Sequence, residues 1–272
     1  MSTLYVVATT IGNLSDLSER ARELLSFVPN VAAEDTRVTR KLLNHINASP
    51  RLESLHEHTS PGRLKSIVAN LESGDMALVT DAGTPGISDP GAALVREAIA
   101  AGHDVVPLPG PSAVVTALSV TGWTFSRFLF LGFLPRRQND RISTLKSVAA
   151  EPGPIVLYES PHRVAAALDD FNEVFPDRQL VICRELTKLY EEIFRGTASE
   201  AVSHFAEPRG EFVIVIQGVG EQPEEAISDD IIVESLRDLG SQGLKGRSLV
   251  DRTVELTGAP KNRVYRLSLN SD

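Results

Sequence analysis

Asp81 to Gly91 reads Asp-Ala-Gly-Thr-Pro-Gly-Ile-Ser-Asp-Pro-Gly, and it restricts the fold more than any other stretch. Met76 to Thr80, just before it, is a short apolar run suited to a buried strand. Ala92 to Ala101, just after it, has helical character. Asp89 is placed to be the N-cap, Pro90 the first helical residue and Gly102 the C-terminal glycine. The segment is thus a long loop from a buried strand to a helix, with three glycines and two prolines in eleven residues. A simple connection of this kind needs about two to six residues. The surplus points to a ligand; an ordinary surface turn is the competing reading.

Two neighbouring stretches repeat the pattern. Asp104 to Leu108 reads as a strand, Pro109-Gly110-Pro111-Ser112 as a loop, and Ser112 as the cap of a helix to about Thr121. Leu4 to Ala8 reads as a first strand and Thr9 to Asn13 as its loop. A capping box from Asp16 to Glu19 then leads into a helix with Leu17, Ala21, Leu24, Leu25 and Val28 on one face. Successive strand–loop–helix units imply parallel strands, because right-handed crossovers dominate. Their loops then gather at the carboxyl edge of the sheet, where open α/β sheets bind ligands. Gly12 is the only glycine of the first loop, so neither a dinucleotide fingerprint nor a P-loop is present. The loops offer backbone groups and little charge, which suits a ligand recognised by its base edge and amino-acid-like ends. Asp81 is available for a cationic group.

The remainder reads as a second α/β unit and a helical tail. The chain has 272 residues, enough for one large or two medium domains. The change of texture near residues 115–125 sets the expected domains at 1–120, 121–220 and 221–272. Val31 to Ala33 is a short strand ending in Glu34-Asp35-Thr36-Arg37, which suits either a site or a helix start. Leu64, Ile67, Val68 and Leu71 mark a helix closed by Gly74. Phe128 to Leu134 opens the second unit. It is followed by Arg136, Arg137, Arg141 and Lys146 against Asp140 alone, either a solvated face or a polyanion contact. Ile155 to Tyr158 is a strand ending in Glu159, with Ser160 as cap and Pro161 at the first helical position. Gln179 to Cys183 is a strand ending in Arg184-Glu185-Leu186-Thr187-Lys188. Ala198 to Phe205 is a helix, and Phe212 to Gln217, apolar on both faces, should be a central strand. Residues 221–240 are acidic and read as a linker followed by a helix. From Ser241 cations outnumber acids, and a helix to Leu256, a turn at Thr257-Gly258-Ala259 and a helix from Pro260 resemble a helix–turn–helix. That piece is too short for a core of its own, and reads either as a nucleic-acid dock or as a helical cap.

Composition narrows the classes. The net charge of −9 argues against nonspecific coating of nucleic acid. The single cysteine, Cys183, excludes an internal disulfide and reads as a small core residue. No signal peptide or membrane-length apolar run is seen, which points to a cytoplasmic protein with no membrane partner. His45, His56 and His58 have no metal-ligand spacing, so no metal site is expected.

The ordered set Thr10-Ile-Gly-Asn-Leu14, Ala33-Glu-Asp-Thr-Arg37, Asp81-Ala-Gly-Thr-Pro85, Asp89-Pro-Gly91, Pro109-Gly-Pro-Ser112, Tyr158-Glu-Ser160 with His162-Arg163, and Arg184-Glu-Leu-Thr-Lys188 closely resembles one family. It is the ribosomal RNA small-subunit methyltransferase I family, among the tetrapyrrole-methylase-like (class III) S-adenosylmethionine-dependent methyltransferases. The match runs in order over nearly the whole chain, including the basic C-terminal unit. Ala8 and Thr10 stand where the family often has prolines, and Ser88 where it often has asparagine.

The resemblance implies a two-domain α/β fold with the cofactor in the cleft between the domains, plus a small C-terminal helical unit. It implies 2′-O-methylation of a cytidine ribose in the decoding centre of 16S ribosomal RNA (position 1402 in ribosomal RNA numbering), by a homodimer. Carried over, the S-adenosyl-L-methionine loops would be Ile11, then Ala82, Gly83, Thr84 and Ile87 beside Asp81, then Ser112 and Ala113, with Tyr158 or Glu159 closing the site from the second domain. Glu159, Glu185 and Asp35 end strands at the crevice and are candidate general bases; positioning without a base is the alternative. Arg37, Arg163, Arg184 and Lys188 are candidate RNA contacts, joined by Lys261 and Arg263 in the tail. A tetrapyrrole-type small-molecule methyltransferase and a non-catalytic RNA-binding protein are the rival readings.

Overall fold

The computed structural model describes residues 2–56, 58–220 and 228–269. Residues 1–218 form one compact unit and residues 219–272 a second.

The first sheet of the larger unit is assembled from β1 (Thr3–Val7), α1 (Glu19–Phe27), β2 (Asn30–Ala33), α2 (Thr36–His45), β3 (Arg51–Ser54), α3 (Pro61–Ala69), β4 (Met76–Val79), α4 (Ala92–Ala100) and β5 (Asp104–Leu108). The strand order is β3-β2-β4-β1-β5, parallel throughout. Side chains alternate across a strand, so Ala77 and Val79 face Leu25, Leu42 and Leu43 of α1 and α2, whereas Met76 and Leu78 face Leu64, Ile67 and Leu94 of α3 and α4. Both faces are therefore dry, which explains unbroken apolar strands. The sequence reading missed β3, an edge strand of Arg-Leu-Glu-Ser. Its buried Glu53 is paired with Arg51 at 3.0 Å and Arg63 at 2.5 Å.

Several expected caps are replaced. Asn13 caps a short 3-10 turn, Leu14–Asp16, and Ser18, not Asp16, caps α1 through Ala21 N–H. Asp89 and Pro90 precede α4 without capping it: Gly91, at φ 145°, turns the chain and is the N-cap. A Cβ there would lie 3.1 Å from Leu78 Cδ2, so glycine lets the turn press on the sheet. Helix α5 (Ala113–Ser119) starts after Ser112, but the serine side chain makes no capping bond.

The second sheet contains β6 (Leu129–Phe133), α6 (Gln138–Ser147), β7 (Ile155–Glu159), α7 (Val164–Val174), β8 (Leu180–Arg184), β9 (Glu192–Gly196), α8 (Ala198–His204) and β10 (Phe212–Ile216). Its order is β6-β7-β10-β8-β9. Strand β10 is central and fully buried, as its double-faced apolarity requires, and runs antiparallel to β7 and β8. The sequence reading missed β9, an edge strand carrying Glu192 and Arg195. Helix α5 follows a strand of the first sheet yet covers the second: Val114, Ala117 and Leu118 pack on Val156, Val181, Cys183, Val213 and Val215. Burial pushes the Cys183 thiol up to about 11, in keeping with a core residue. Ser160 and Pro161 do not start α7; they form a turn, and the helix begins at Val164. Arg141 is no polyanion contact, because it is buried with Asp170 at 2.7 Å.

In the smaller unit, α9 (Asp229–Ser241), α10 (Gly246–Thr257) and α11 (Lys261–Ser268) surround Ile232, Leu236, Val250, Ala259 and Val264. The expectation that the tail lacks a core is corrected: α9 supplies the third wall. Residues 221–227, read as linker, lie outside the described residues. Among the described residues no helix is long and apolar enough to cross a membrane.

Candidate active site

Three loops leave the carboxyl edge of the first sheet, after β1, β4 and β5, and are laced together by their backbones. Thr9 N–H donates to Gly83 O at 2.8 Å, and Gly83 N–H returns a bond to Thr10 O at 3.3 Å. The Thr9 hydroxyl donates to Thr80 O at 3.1 Å. The third loop is held by contact: a Cβ on Gly110 would sit 3.0 Å from Ala8 Cβ. Gly83 has φ 77°, which a side chain would strain. Ile11 is buried against the second sheet's cluster, Thr84, Ser112 and Ala113 are half-buried, and Asp81, Ala82 and Ile87 are exposed.

Tyr158 reaches this edge from β7. Burial, reinforced by the nearby Asp89 charge and opposed by the Val114 backbone, pushes its hydroxyl up to about 12. The structure thus brings Ile11, Ala82 to Thr84, Ser112, Ala113 and Tyr158 to one place.

Beside Tyr158 lies a group of carboxylates that the sequence reading did not assemble. Burial pushes Asp89 up to about 6, opposed by the nearby Thr80 hydroxyl and helped by the Glu34 and Asp81 charges. Thr80 Oγ1 donates to Glu34 Oε2 at 2.9 Å, and Asp35 N–H donates to Asp81 Oδ1 at 3.0 Å. The Asp-Pro-Gly triplet is the sequence signal for Asp89, and on its own it points to a helix cap. Asp35 caps α2, and its pair with Arg37 at 2.6 Å holds its carboxyl down at about 2.

The other nominated residues each have a partner. Glu159 is fully buried; its Oε1 accepts Ser160 N–H at 2.8 Å and meets Arg163 Nε at 3.3 Å. Burial raises its pKa, and its Oε2 has no partner among the described residues. Arg163 donates to Leu134 O at 2.6 Å and so ties the end of β7 to the exit of β6. Glu185, at φ 50°, accepts from Lys188 Nζ and Glu211 N–H, both at 2.9 Å. Burial pushes its pKa up, but these bonds outweigh it and hold the group low. Lys188 also lies so close to Gly12 that a Cβ there would come within 2.6 Å of its Cγ, and Thr187 Oγ1 accepts Asn13 N–H at 3.0 Å. The loop after β8 therefore closes against the loop after β1. Arg184 pairs with Glu192 at 3.0 Å. In the helical unit Lys261 pairs with Asp251 at 2.5 Å and Arg263 with Asp229 at 2.6 Å. Arg37 is the most open of the nominated cations, with 88% of its side chain exposed. Among the described residues no group of His, Cys, Asp and Glu is arranged to hold a metal ion.

A parallel sheet with laced glycine loops, set beside a mixed sheet with a central antiparallel strand, defines a class. Residues 3–202 match the Tetrapyrrole (Corrin/Porphyrin) Methylases. The solved structure of a diphthine synthase shares the fold, with a TM-score of 0.62 at 15% identity over 80% of this chain and 90% of that one. The particular branch follows from nearly full-length relatives. The chain is 42% identical to ribosomal RNA small subunit methyltransferase I of Synechocystis sp. over 99% of this chain and 98% of that protein. It is 42% identical to the protein of the same name from Halalkalibacterium halodurans over 97% and 94% of the two chains. The chain belongs to the ribosomal RNA small-subunit methyltransferase I family, within the tetrapyrrole methylases.

Proposed function

We propose that this protein methylates the ribose 2′-hydroxyl of cytidine 1402 in 16S ribosomal RNA, using S-adenosyl-L-methionine. The observation that carries the reading is the laced three-loop edge with Tyr158 closing on it, in a chain that matches its relatives from end to end. The cradle fits the cofactor: it offers backbone groups and apolar side chains, and its small residues leave room for a close approach. Ile11, Ala82, Gly83, Thr84, Ile87, Ser112, Ala113 and Tyr158 would hold it, with Asp81 beside its cationic amino end. The bound cofactor supplies an electrophilic methyl group on a sulfonium.

The chain's own task is to align the ribose hydroxyl and exclude water. A general base would add about 10²–10⁴-fold. Glu159, Glu185 and Asp35 were the candidates, but each is committed to a structural bond. We therefore read them as scaffold and the transfer as positioning-dominated. On the larger unit Arg37, the most open of the four cations, is the RNA contact, while Arg163, Arg184 and Lys188 are held in ion pairs and shape the surface around it. On the smaller unit, Lys261 and Arg263 act with a basic groove of about 1020 Å³ lined by Arg237, Lys245, Arg247 and Tyr265. The protein works in the cytoplasm as a homodimer. An apolar groove of about 560 Å³ along edge strand β5 and α4, lined by Val95, Ile99, Val105 and Pro107, supports self-association.

The test is transfer of labelled methyl groups to purified small subunits lacking the modification, with the product nucleoside identified. Label in 2′-O-methylcytidine is the expected result. Cofactor binding without transfer to RNA would move the acceptor to a small molecule. Replacing Glu159, Glu185 and Asp35 in turn by the matching amide should leave the single-turnover rate nearly unchanged; a collapse with any one would restore that residue as base.

A further inference from the structure

Strand β6 carries an irregularity beside the site. Phe130 pairs with Val156 and Phe133 with Tyr158, so three steps along β6 answer two along β7. The extra residue is a bulge, and Gly132 within it has φ 63°. A Cβ on Gly132 would lie 2.9 Å from Ser88 Oγ, and Ser88 itself has φ 63° although it is not glycine. Two unusual backbone positions, one in β6 and one in the loop after β4, therefore meet, and the residues that follow them are Phe133 and Asp89.

The bulge breaks the inward–outward alternation of β6 and re-aims Phe133. The ring contacts Tyr158, with centroids 5.6 Å apart, and Tyr158 is backed in turn by Phe130 at 5.1 Å. Yet Phe133 remains 54% exposed. The ring is thus held on one side by an aromatic neighbour while more than half of the residue is open to solvent, next to the loops that form the cradle. A rigid aromatic face is the feature by which proteins hold an unstacked base, because every base has a π-face to offer.

We propose that Phe133 is the stacking face for the nucleobase of the acceptor nucleotide, holding its ribose beside Asp89 at the edge of the three-loop cradle. The inference rests on the ribose-methylation reading and adds the residue that positions the acceptor. Stacking is tolerant of base identity, so Phe133 positions the nucleotide and leaves the choice of site to other contacts.

The experiment uses the full-length protein with F133A, F133L and F133W. It measures cofactor affinity by calorimetry, oligomeric state by sedimentation, and methyl transfer to small subunits lacking the modification. The expected result is a loss of kcat/KM for the subunit of about tenfold or more in F133A, borne mainly by KM, with cofactor affinity and oligomeric state unchanged. F133W should restore activity and F133L should not, since leucine replaces the bulk but not the π-face. Wild-type kcat/KM in F133A, or full rescue by F133L, would overturn the proposal. So would loss of cofactor binding or of the native oligomer in F133A, which would make the ring structural. A wild-type protein that binds cofactor but transfers no methyl to RNA would instead sink the functional reading on which the proposal stands.

Discussion

The loop edge of the first sheet and the strand ends of the second differ in how they are built. On the first, the work is done by backbone: Thr9, Thr10 and Gly83 exchange main-chain bonds, and Gly110 lets the third loop rest on Ala8. On the second, charged side chains crowd the strand ends and nearly all are matched, Glu159 with Arg163, Arg184 with Glu192, and Lys188 with Glu185 and Glu211. The charge at these strand ends is taken up in ion pairs. Glu159 and Glu185 were nominated because they end strands, and both are engaged in holding the backbone in place. The first edge is built from main-chain bonds and small residues, with the carboxylates of Glu34, Asp81 and Asp89 gathered beside it.

The contrast can be tested from its strongest consequence downward. Asp170→Ala would leave Arg141 buried without its partner and should destabilise the larger unit by about 3–5 kcal/mol. A denaturation midpoint close to wild type would show the pair to be dispensable. Gly110→Val drives a side chain into Ala8 and should spread the first and third loops. A cofactor affinity reduced about 100-fold, or ~2.7 kcal/mol, is the expectation, with the far-UV spectrum retained. If affinity survives, the laced edge is not the cradle.

Charge reversal at Lys245 and Arg247 addresses the smaller unit. It should weaken subunit binding and flatten its dependence on salt by about one unit of slope per lost phosphate contact. An unchanged slope would remove that groove from the RNA interface. The smallest expected effect is at Asp89. Its folded pKa of about 6 lies above its ordinary value, so the fold favours the protonated acid. That contribution is complete below about pH 4 and is lost as pH rises through about 6. Wild type should therefore lose stability relative to Asp89→Asn across that window, on the order of 1 kcal/mol after allowance for solvent screening. Parallel melting curves for the two proteins from pH 4 to 7.5 would contradict the assignment.

Much of this was legible beforehand, for local reasons. Met76 to Val79 and Phe212 to Ile216 are apolar at every position, and a run of that kind has nowhere to go but a strand covered on both faces. The strands with no sequence signal, β3 and β9, are edge strands with charged residues, where hydrophobic periodicity is weakest. The caps failed for a related reason. Ser18 outcompetes Asp16, and Gly91 displaces Asp89, because a cap is chosen by where the chain turns and not only by which side chains are near. Phe133 was hidden inside an apolar run. Gly132 was the only hint that the strand is bulged, and its meaning depends on Ser88, 44 positions away in sequence.

By itself the sequence determined that parallel strands end in glycine- and proline-rich loops, that a long loop follows the strand at Met76, and that an acidic stretch gives way to a basic helical tail. These follow from composition and short-range periodicity, which act over a few residues. Tertiary structure alone decided that α5 belongs to the second sheet, that Glu159 is buried, and that Gly132 of β6 meets Ser88 of the loop after β4. Those outcomes depend on which surfaces meet when the two sheets pack. Burial and contact between distant segments set the pKa of a carboxylate and the direction of a ring, and neither is encoded in the neighbours along the chain.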